Sequence, residues 1–254
     1  MVNLDLMELE ALLPKLQTQY QNDPPFPHIV LDNFLPFYDL LEVAMAFPDP
    51  HQGNWWKYEN VLEKKLARND VHNFPKSIQW LIYQLQSNYF VSFLERLTGI
   101  DGLIVDHTLN GGGLHQILRG GKLDVHADYN YHPITKLDRR LNVLLYLNQD
   151  WNPEWKGHLE LWNKDMTYRI QSIAPIFNRM VIFNVTDNSF HGHPDPLECP
   201  YEVSRKSIAL YYYTNGRPHY EKSIPHSTIF KRRPQDPFNL EEEELRQKRA
   251  VRRI

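Results

Sequence analysis

The most constraining feature of this sequence is a series of short apolar runs with period two that starts after Gly99. The runs occupy residues 103–109, 114–118, 140–148, 158–163, 167–173, 179–185 and 205–213. Gly, Pro, Asn and Asp separate them, and alternating runs bounded by such residues predict short β-strands. So many short strands predict a β-sandwich or a β-barrel, with helices packed on its outside.

The first 99 residues instead favour helices. An apolar stripe at helical spacing runs from Leu4 until Pro14 interrupts it, and residues 28–36 form a short strand leading into a helix over 36–47. A longer helix is expected from about Pro75 to Gly99, because proline suits a first helical turn and glycine a helix end. The sequence therefore predicts mainly helical support before the strands.

The last segment, residues 216–254, closes with NLEEEELRQKRAVRRI. Asn239 can cap a helix and Glu242 occupies the capping-box position, and acidic and basic residues four apart favour the same helix. A solvated charged helix is the simpler interpretation, and a docking tail for an acidic partner is the alternative. No interdomain linker is evident, so residues 1–254 are expected to form one catalytic domain.

Charge and cysteine content exclude several classes of protein. The net charge is −3, from 28 basic and 31 acidic residues, which argues against nucleic acid as a required partner. The single cysteine, Cys199, excludes an internal disulfide framework and favours a reducing compartment. The N-terminal segment is acidic, and no apolar run is long enough for a membrane span. The expected location is therefore cytoplasmic.

Two candidate metal ligands lie in the segment GGKLDVHADYNYHP, residues 120–133. His126 and Asp128 are two residues apart, so on a strand both would point to the same side. A third ligand can come from SFHGH, where His191 and His193 are alternatives because they share one direction. Two histidines and one carboxylate form the ligand set of non-haem Fe(II) oxygenases and leave three coordination positions open.

A dicarboxylate co-substrate beside such an iron needs a cation at its far end. In RKSIALYYYT, residues 205–214, Arg205 and Ser207 share one face of the predicted strand. A guanidinium matches a carboxylate in a bidentate manner, and the serine can donate one more hydrogen bond. On the strand over 140–148, one face carries Asn142, Leu144, Tyr146 and Asn148, and the opposite face carries Leu141, Val143, Leu145 and Leu147. Tyr146 is the residue of the first face that is placed to enter the same pocket.

Together these residues resemble the 2-oxoglutarate and Fe(II)-dependent dioxygenases, specifically their prolyl-hydroxylase-like branch. The resemblance covers about residues 100–215, and its motifs are H-x-D at His126 and Asp128, YLNQDW at 146–151, KGHLELW at 156–162, NRMVIF at 178–183, SFH at 189–191 and R-x-S at Arg205 and Ser207. It implies a mostly β fold with flanking helices, in which a double-stranded β-helix, the cupin-like jelly roll, follows N-terminal helices.

The resemblance also implies roles for these residues and the reaction they serve. His126, Asp128 and His191 would be the iron ligands, and Arg205 and Tyr146 would bind the distal carboxylate of 2-oxoglutarate. Fe(II) would be the metal, 2-oxoglutarate and O2 the co-substrates, and ascorbate a candidate reductant. The implied activity is hydroxylation of a C–H bond with release of succinate and CO2, and Asp128 favours it over halogenation because halogenating relatives lack this carboxylate.

Two other functions fit parts of the pattern. A cupin-like sensor module would bind iron and 2-oxoglutarate without turnover. A zinc-dependent hydrolase would use the same ligands, but it lacks an evident general base and leaves Arg205 unexplained.

The substrate is expected to be a peptidyl residue or a small molecule, with a slight preference for a peptide or protein. Tyr129 and Tyr131, just after the ligand pair, are candidates for the substrate entrance. Residues 51–70, which contain Trp55 and Trp56, could form a lid over the site.

Overall fold

The computed structural model describes residues 4–251. Residues 1–3 and 252–254 of the predicted domain lie outside the described residues. The end of the predicted C-terminal helix falls in the second of these ranges. The helices are α1 (Met7–Asn22), α2 (Phe37–Met45), α3 (Lys76–Leu85), α4 (Asn88–Thr98) and α5 (Leu240–Val251). The strands are β1 (His28–Asp32), β2 (Trp56–Glu59), β3 (Glu63–Arg68), β4 (Ile104–Val105), β5 (Gly113–Ile117), β6 (Lys122–Ala127), β7 (Asp138–Tyr146), β8 (Leu159–Trp162), β9 (Arg169–Ile173), β10 (Arg179–Asn184), β11 (His191–His193), β12 (Arg205–Thr214) and β13 (Ile229–Phe230).

The strands form one antiparallel sheet that curls around an internal cavity. Its main path is β1-β10-β7-β12-β5-β3-β6-β11-β8-β9, with β13 on β6, β2 on β3 and β4 on β12. Strands β5, β7 and β12 line this cavity from one side, and β6, β8 and β11 line it from the other. The curled antiparallel sheet, with its helices outside, agrees with the predicted jelly-roll core.

Strand β7 shows how the alternating pattern separates the core from the cavity. Leu141, Val143 and Leu145 are buried in the main hydrophobic core, together with α4 residues such as Phe90 and Leu94. Asn142 and Leu144 line the cavity on the opposite face. The division of this strand into an apolar face and a pocket face, predicted from period two, is confirmed.

Two predicted helix boundaries are wrong. The helix expected from Pro75 to Gly99 is two helices, because Ser87 leaves the helical conformation and its side chain caps α4 by accepting from Phe90 N. Helix α1 continues through Pro14, since Leu16 and Tyr20 in its second half are buried in the core. Gly99 ends α4 in the left-handed conformation, as predicted. Within residues 4–251, no helix combines the length and the apolar character that a membrane span requires.

Residues 51–70 were included in the mainly helical part, but they contain the β2–β3 hairpin. Strand β3 joins the main sheet by pairing with both β5 and β6. These pairings satisfy the backbone hydrogen-bonding groups of β3. The partner strands are distant in sequence, so a local pattern does not predict them. The hairpin thereby reaches the edge of the cavity, where Lys65 is one of the lining residues.

The C-terminal segment packs against the strand that carries the predicted ligand pair. Strand β13 pairs with β6, where Phe230 is opposite His126. Arg246 on α5 is buried and its Nη2 donates to Asp124 Oδ2 at 2.8 Å. Asn239 caps α5 by accepting from Glu242 N at 3.2 Å, as the sequence predicts. One side of α5 therefore forms buried ion pairs with the sheet.

Candidate active site

Three predicted ligands meet at one end of the cavity. His126 is near the end of β6, Asp128 follows that strand, and His191 begins β11, where it pairs with His126. One ligand atom from each lies within 4.8 Å of those from the other two. Nε2 of His126 is 3.5 Å from Asp128 Oδ1, and Nε2 of His191 is 3.5 Å from Asp128 Oδ2. All three side chains are buried, and the group has a geometry that could hold a metal ion.

The hydrogen bonds of the two histidines fix the tautomer that metal binding requires. His126 Nδ1 lies 2.8 Å from Asp124 O, and His191 Nδ1 lies 2.9 Å from Ser189 O. A backbone carbonyl can only accept, so both Nδ1 atoms must carry hydrogen. Each Nε2 then has a free lone pair directed towards the other ligands.

Burial and neighbouring charges keep His191 and Asp128 in their metal-binding protonation states. Burial, followed by the proximity of His126, lowers the pKa of His191 to about 4, so its imidazole is neutral near pH 7. Burial alone would raise the pKa of Asp128. The positive charge of Arg139, together with the contacts to His191 and His126, outweighs that effect and holds the Asp128 pKa well below its ordinary value.

His193, the alternative third ligand, lies outside this group. A register shift separates it from His191 in the β11–β6 pair, and it is paired with Leu123. It is buried beside the cavity, and its Nδ1 has no hydrogen-bond partner within residues 4–251. Its ring therefore forms part of the cavity wall.

Arg205 is a buried cation at the other end of the cavity. Only 4% of its surface is exposed, and its Nε donates to Gly157 O at 2.7 Å, while Nη2 donates to Tyr146 Oη at 3.2 Å. Burial lowers its pKa, which Tyr146 offsets in part. No carboxylate within the described chain pairs with it, although buried charges normally have an opposite charge nearby. Ser207 lines the same cavity and is opposite Tyr146 in the β12–β7 pair.

A second opening, of about 250 Å³, leads to His126 and Asp128 from the outside. We call it the entrance cleft; its side walls include Tyr58, Glu63, Lys65, Tyr129, Arg139, Tyr211, Phe230 and Arg249. Tyr129, which the sequence analysis predicted at a substrate entrance, is one of the residues in these walls. Tyr131 instead forms an isolated bridge with Asp138 and is not part of these walls. Tyr58, Glu63 and Lys65 come from residues 51–70, which form one wall.

The sequence interpretation missed Arg139. It is buried beside Asp128, with its Nη2 3.1 Å from Asp128 Oδ2. Asn142, which the strand pattern placed on the pocket face, donates from Nδ2 to the same oxygen at 2.6 Å. No local sequence signal identifies it, because an irregularity in the β12–β7 pairing sets the direction of its side chain.

Comparison with known proteins identifies relatives that are similar in sequence. Residues 112–213 match the model of the 2OG-Fe(II) oxygenase superfamily. The prolyl 3-hydroxylase OGFOD1 of Mus musculus is 27% identical over 212 residues, which cover 79% of this chain and 36% of that protein. The chain therefore spans little more than a third of the length of this relative.

Comparison with solved structures identifies proteins with a similar fold. A prolyl-4-hydroxylase of Pseudomonas putida has a TM-score of 0.56 at 12% identity, over 80% of this chain and 100% of that chain. A prolyl hydroxylase of Trichoplax adhaerens, in complex with a peptide fragment of the hypoxia inducible factor, has a TM-score of 0.55 at 19% identity, over 82% and 91% of the two chains. The segment that matches the family model contains the histidine–aspartate–histidine group and the buried arginine, so residues 112–213 are similar to the 2OG-Fe(II) oxygenase superfamily in the part of the chain that forms this site.

Proposed function

We propose that this chain is an Fe(II)- and 2-oxoglutarate-dependent hydroxylase that acts on a C–H bond of a peptidyl residue. One observation carries the proposal: two histidines and an aspartate form one buried group, and the cavity behind them contains Arg205 without a carboxylate partner in residues 4–251. This arrangement fits a metal at one end of the cavity and an anionic ligand at the other.

In this proposal, His126, Asp128 and His191 hold the metal. Two imidazole nitrogens and one carboxylate suit Fe(II) and leave positions for further ligands. When bound, Fe(II) with 2-oxoglutarate and O2 supplies the oxidant that hydroxylates a C–H bond, and the keto acid is converted to succinate and CO2. The surrounding protein limits the access of water to this group, because all three ligands are buried.

Arg205 would bind the distal carboxylate of 2-oxoglutarate with Tyr146 and Ser207. The Arg205 bonds to Gly157 O and Tyr146 Oη fix the plane of the guanidinium before any ligand arrives. Because Tyr146 Oη accepts from Arg205, its own hydrogen can be donated to a carboxylate oxygen. The dianion would thus be held between this cation and the metal, which orients its reactive end.

The entrance cleft supports a peptidyl substrate. Its walls combine aromatic rings, such as Tyr129 and Tyr211, with charged side chains, and it leads directly to His126 and Asp128. The mouse relative is named a prolyl 3-hydroxylase, and the Trichoplax adhaerens enzyme was solved with a peptide. We therefore propose prolyl residues in peptides as the first substrates to test.

The experiment is a turnover assay with purified protein, Fe(II) and 2-oxoglutarate, in which succinate is measured and substrates are examined by mass spectrometry for one added oxygen atom. Peptides containing proline, free amino acids and a protein extract form the substrate panel. We expect iron-dependent succinate release, abolished by His126→Ala and Asp128→Ala but retained by His107→Ala, which changes a histidine outside the cavity. Binding of iron and 2-oxoglutarate without turnover on any substrate would instead support a sensor module.

A further inference from the structure

Two side chains of β7 hold one oxygen of the Asp128 carboxylate. Asn142 Nδ2 donates to Oδ2 at 2.6 Å, and Arg139 Nη2 lies 3.1 Å from the same atom. Arg139 also donates to Asn142 Oδ1, from Nε at 3.1 Å and from Nη2 at 2.6 Å. The three side chains therefore form a closed network, in which Asn142 donates to Asp128, Arg139 donates to Asn142, and Arg139 and Asp128 form an ion pair.

Aromatic rings fix the guanidinium of Arg139 in this position. Its central carbon lies 3.4 Å from the centroid of the Tyr211 ring and 4.5 Å from that of the Tyr129 ring. Tyr129 Oη donates to Asn110 O and Tyr211 Oη donates to Gly111 O, so both rings are themselves anchored. Cation–π contacts of this kind are strongest where water is excluded, and Arg139 is only 1% exposed.

A β-bulge directs Arg139 into the site. In the β12–β7 pair, Tyr212 is opposite Leu141 but Tyr213 is opposite Arg139, so Arg140 is the extra residue. Without the bulge, strict alternation would put Arg140 on the same face as Asn142 and Arg139 on the other. With it, Arg139 faces Asp128, and Arg140 instead pairs with Glu221 at 2.9 Å. Bulges beside active sites commonly redirect a side chain in this way.

We propose that Arg139 and Asn142 are positioning residues for Asp128, which hold Oδ2 so that Oδ1 is the oxygen presented to the metal. The inference rests on the proposed function, because it assigns a metal to the group. A carboxylate can turn about its terminal bond, and a metal bound by only three protein ligands is sensitive to that rotation. A hydrogen bond from Asn142 and an ion pair with Arg139 on the same oxygen oppose this rotation, and partners of this kind commonly change metal affinity by about 10- to 100-fold.

The test is the affinity for Mn(II), which takes the place of Fe(II) without oxidative turnover, measured from the electron paramagnetic resonance signal of free Mn(II). We expect Arg139→Gln and Asn142→Leu to weaken Mn(II) binding by about 10- to 100-fold. Affinity for 2-oxoglutarate at saturating Mn(II) should be unchanged, because Arg205 lies at the other end of the cavity. Anaerobic Fe(II) with 2-oxoglutarate should also give a visible absorption band that is shifted in both variants.

Arg140→Gln is the matched control. It removes a neighbouring buried arginine and its ion pair with Glu221, but it leaves the Asp128 contacts intact. We expect wild-type Mn(II) affinity and an unshifted band, even where thermal unfolding shows lower stability. If Arg139→Gln does not fold, Asn142→Leu decides the question, because leucine keeps the branched shape of asparagine but has no polar atoms.

Two results overturn the inference. One is wild-type Mn(II) affinity in Asn142→Leu and in folded Arg139→Gln, and the other is an equal loss in Arg140→Gln. Both leave the proposed function intact. Wild-type protein that binds neither Mn(II) nor 2-oxoglutarate would instead overturn the proposed function, and this inference with it.

Discussion

His191 lies directly opposite His126 in the antiparallel pair of β11 and β6, with the two ring centroids 4.5 Å apart. The pairing brings together residues from distant parts of the sequence, and both rings then face Asp128. Beyond His191 the register shifts, so His193 does not repeat this arrangement. Strand pairing, more than the spacing of the histidines, therefore decides which of them can join the metal group.

The first prediction separates these two histidines. His191→Ala should lose metal binding, because the group then has only two protein ligands, whereas His193→Ala should keep it. The measurement is the iron content after anaerobic reconstitution and removal of free metal. Loss of iron in His193→Ala, with iron retained in His191→Ala, would contradict the assignment.

The second prediction concerns Gly192, between the two histidines. A Cβ at this position would lie 2.8 Å from Leu123 O and 2.9 Å from Asp124 O on β6. Gly192→Ala should therefore push β11 away from β6, separate His191 from His126 and destabilise the fold by about 1–3 kcal/mol. Urea unfolding and Mn(II) affinity measure the two effects.

Gly102→Ala provides the control for this glycine. Gly102 has a φ of +70° and no heavy atom within 4 Å of its added Cβ, so the substitution strains the backbone without crowding β6. We expect lower stability but wild-type Mn(II) affinity. Equal loss of metal binding in both variants would mean that stability alone accounts for the result.

Most of the site could be predicted from the sequence because each part lies in a regular strand. Alternation placed Asn142 and Leu144 on the pocket face, and period two put Arg205 and Ser207 on one face of β12. Arg139 could not be predicted in this way. A bulge reverses the direction of its side chain, and the extra residue is visible only from the pairing with β12.

The remaining differences in the fold also depend on tertiary contacts. The β2–β3 hairpin has an exposed β2, and its β3 is stabilised by pairing with β5 and β6, which are distant in sequence. Pro14 should end a helix on local grounds, but burial of Leu16 and Tyr20 outweighs that preference. Local patterns therefore predicted the central strands well and the elements that depend on remote partners poorly.

The third prediction is a pH dependence at His226. Its Nε2 lies 3.0 Å from Asp187 Oδ1, and its backbone N donates to Asn130 Oδ1, two residues beyond Asp128. Burial alone would lower the pKa of His226, but the hydrogen bonds to Asp187 and to Ser227 O raise it above its ordinary value. The His226–Asp187 pair should therefore stabilise the folded protein fully below about pH 6.5, and this stabilisation should be lost as the pH rises through the raised pKa of His226.

Urea unfolding of wild type and His226→Gln over a pH series checks this sign. The stability difference between the two proteins should be largest on the acid side of neutrality and should shrink as the pH increases. Asp187→Asn should remove the same pH-dependent difference, since it removes the charge that favours protonated His226. A difference that grows with pH would show that His226 is neutral in the folded protein.

The last prediction concerns Arg205 and 2-oxoglutarate. Removing one partner of a buried, hydrogen-bonded charge pair costs about 2–5 kcal/mol, so Arg205→Gln should weaken 2-oxoglutarate binding by roughly 30-fold or more. Arg205→Lys should be intermediate, because it keeps the charge but not the bonds to Gly157 O and Tyr146 Oη. Calorimetric titration of Mn(II)-saturated protein measures the affinity. Arg169→Gln is the control, since Arg169 is half-exposed and already paired with Glu160 at 2.8 Å.

Stability gives an independent measure of the same interaction. Since Arg205 has no carboxylate partner within residues 4–251, its buried charge should not stabilise the protein in the absence of an anion. Without 2-oxoglutarate, Arg205→Gln should therefore unfold at the same urea concentration as wild type or a higher one. With saturating 2-oxoglutarate, wild type should become the more stable protein, because the ligand binds only its folded state. Equal stabilisation of both proteins by 2-oxoglutarate would show that the dianion binds without Arg205.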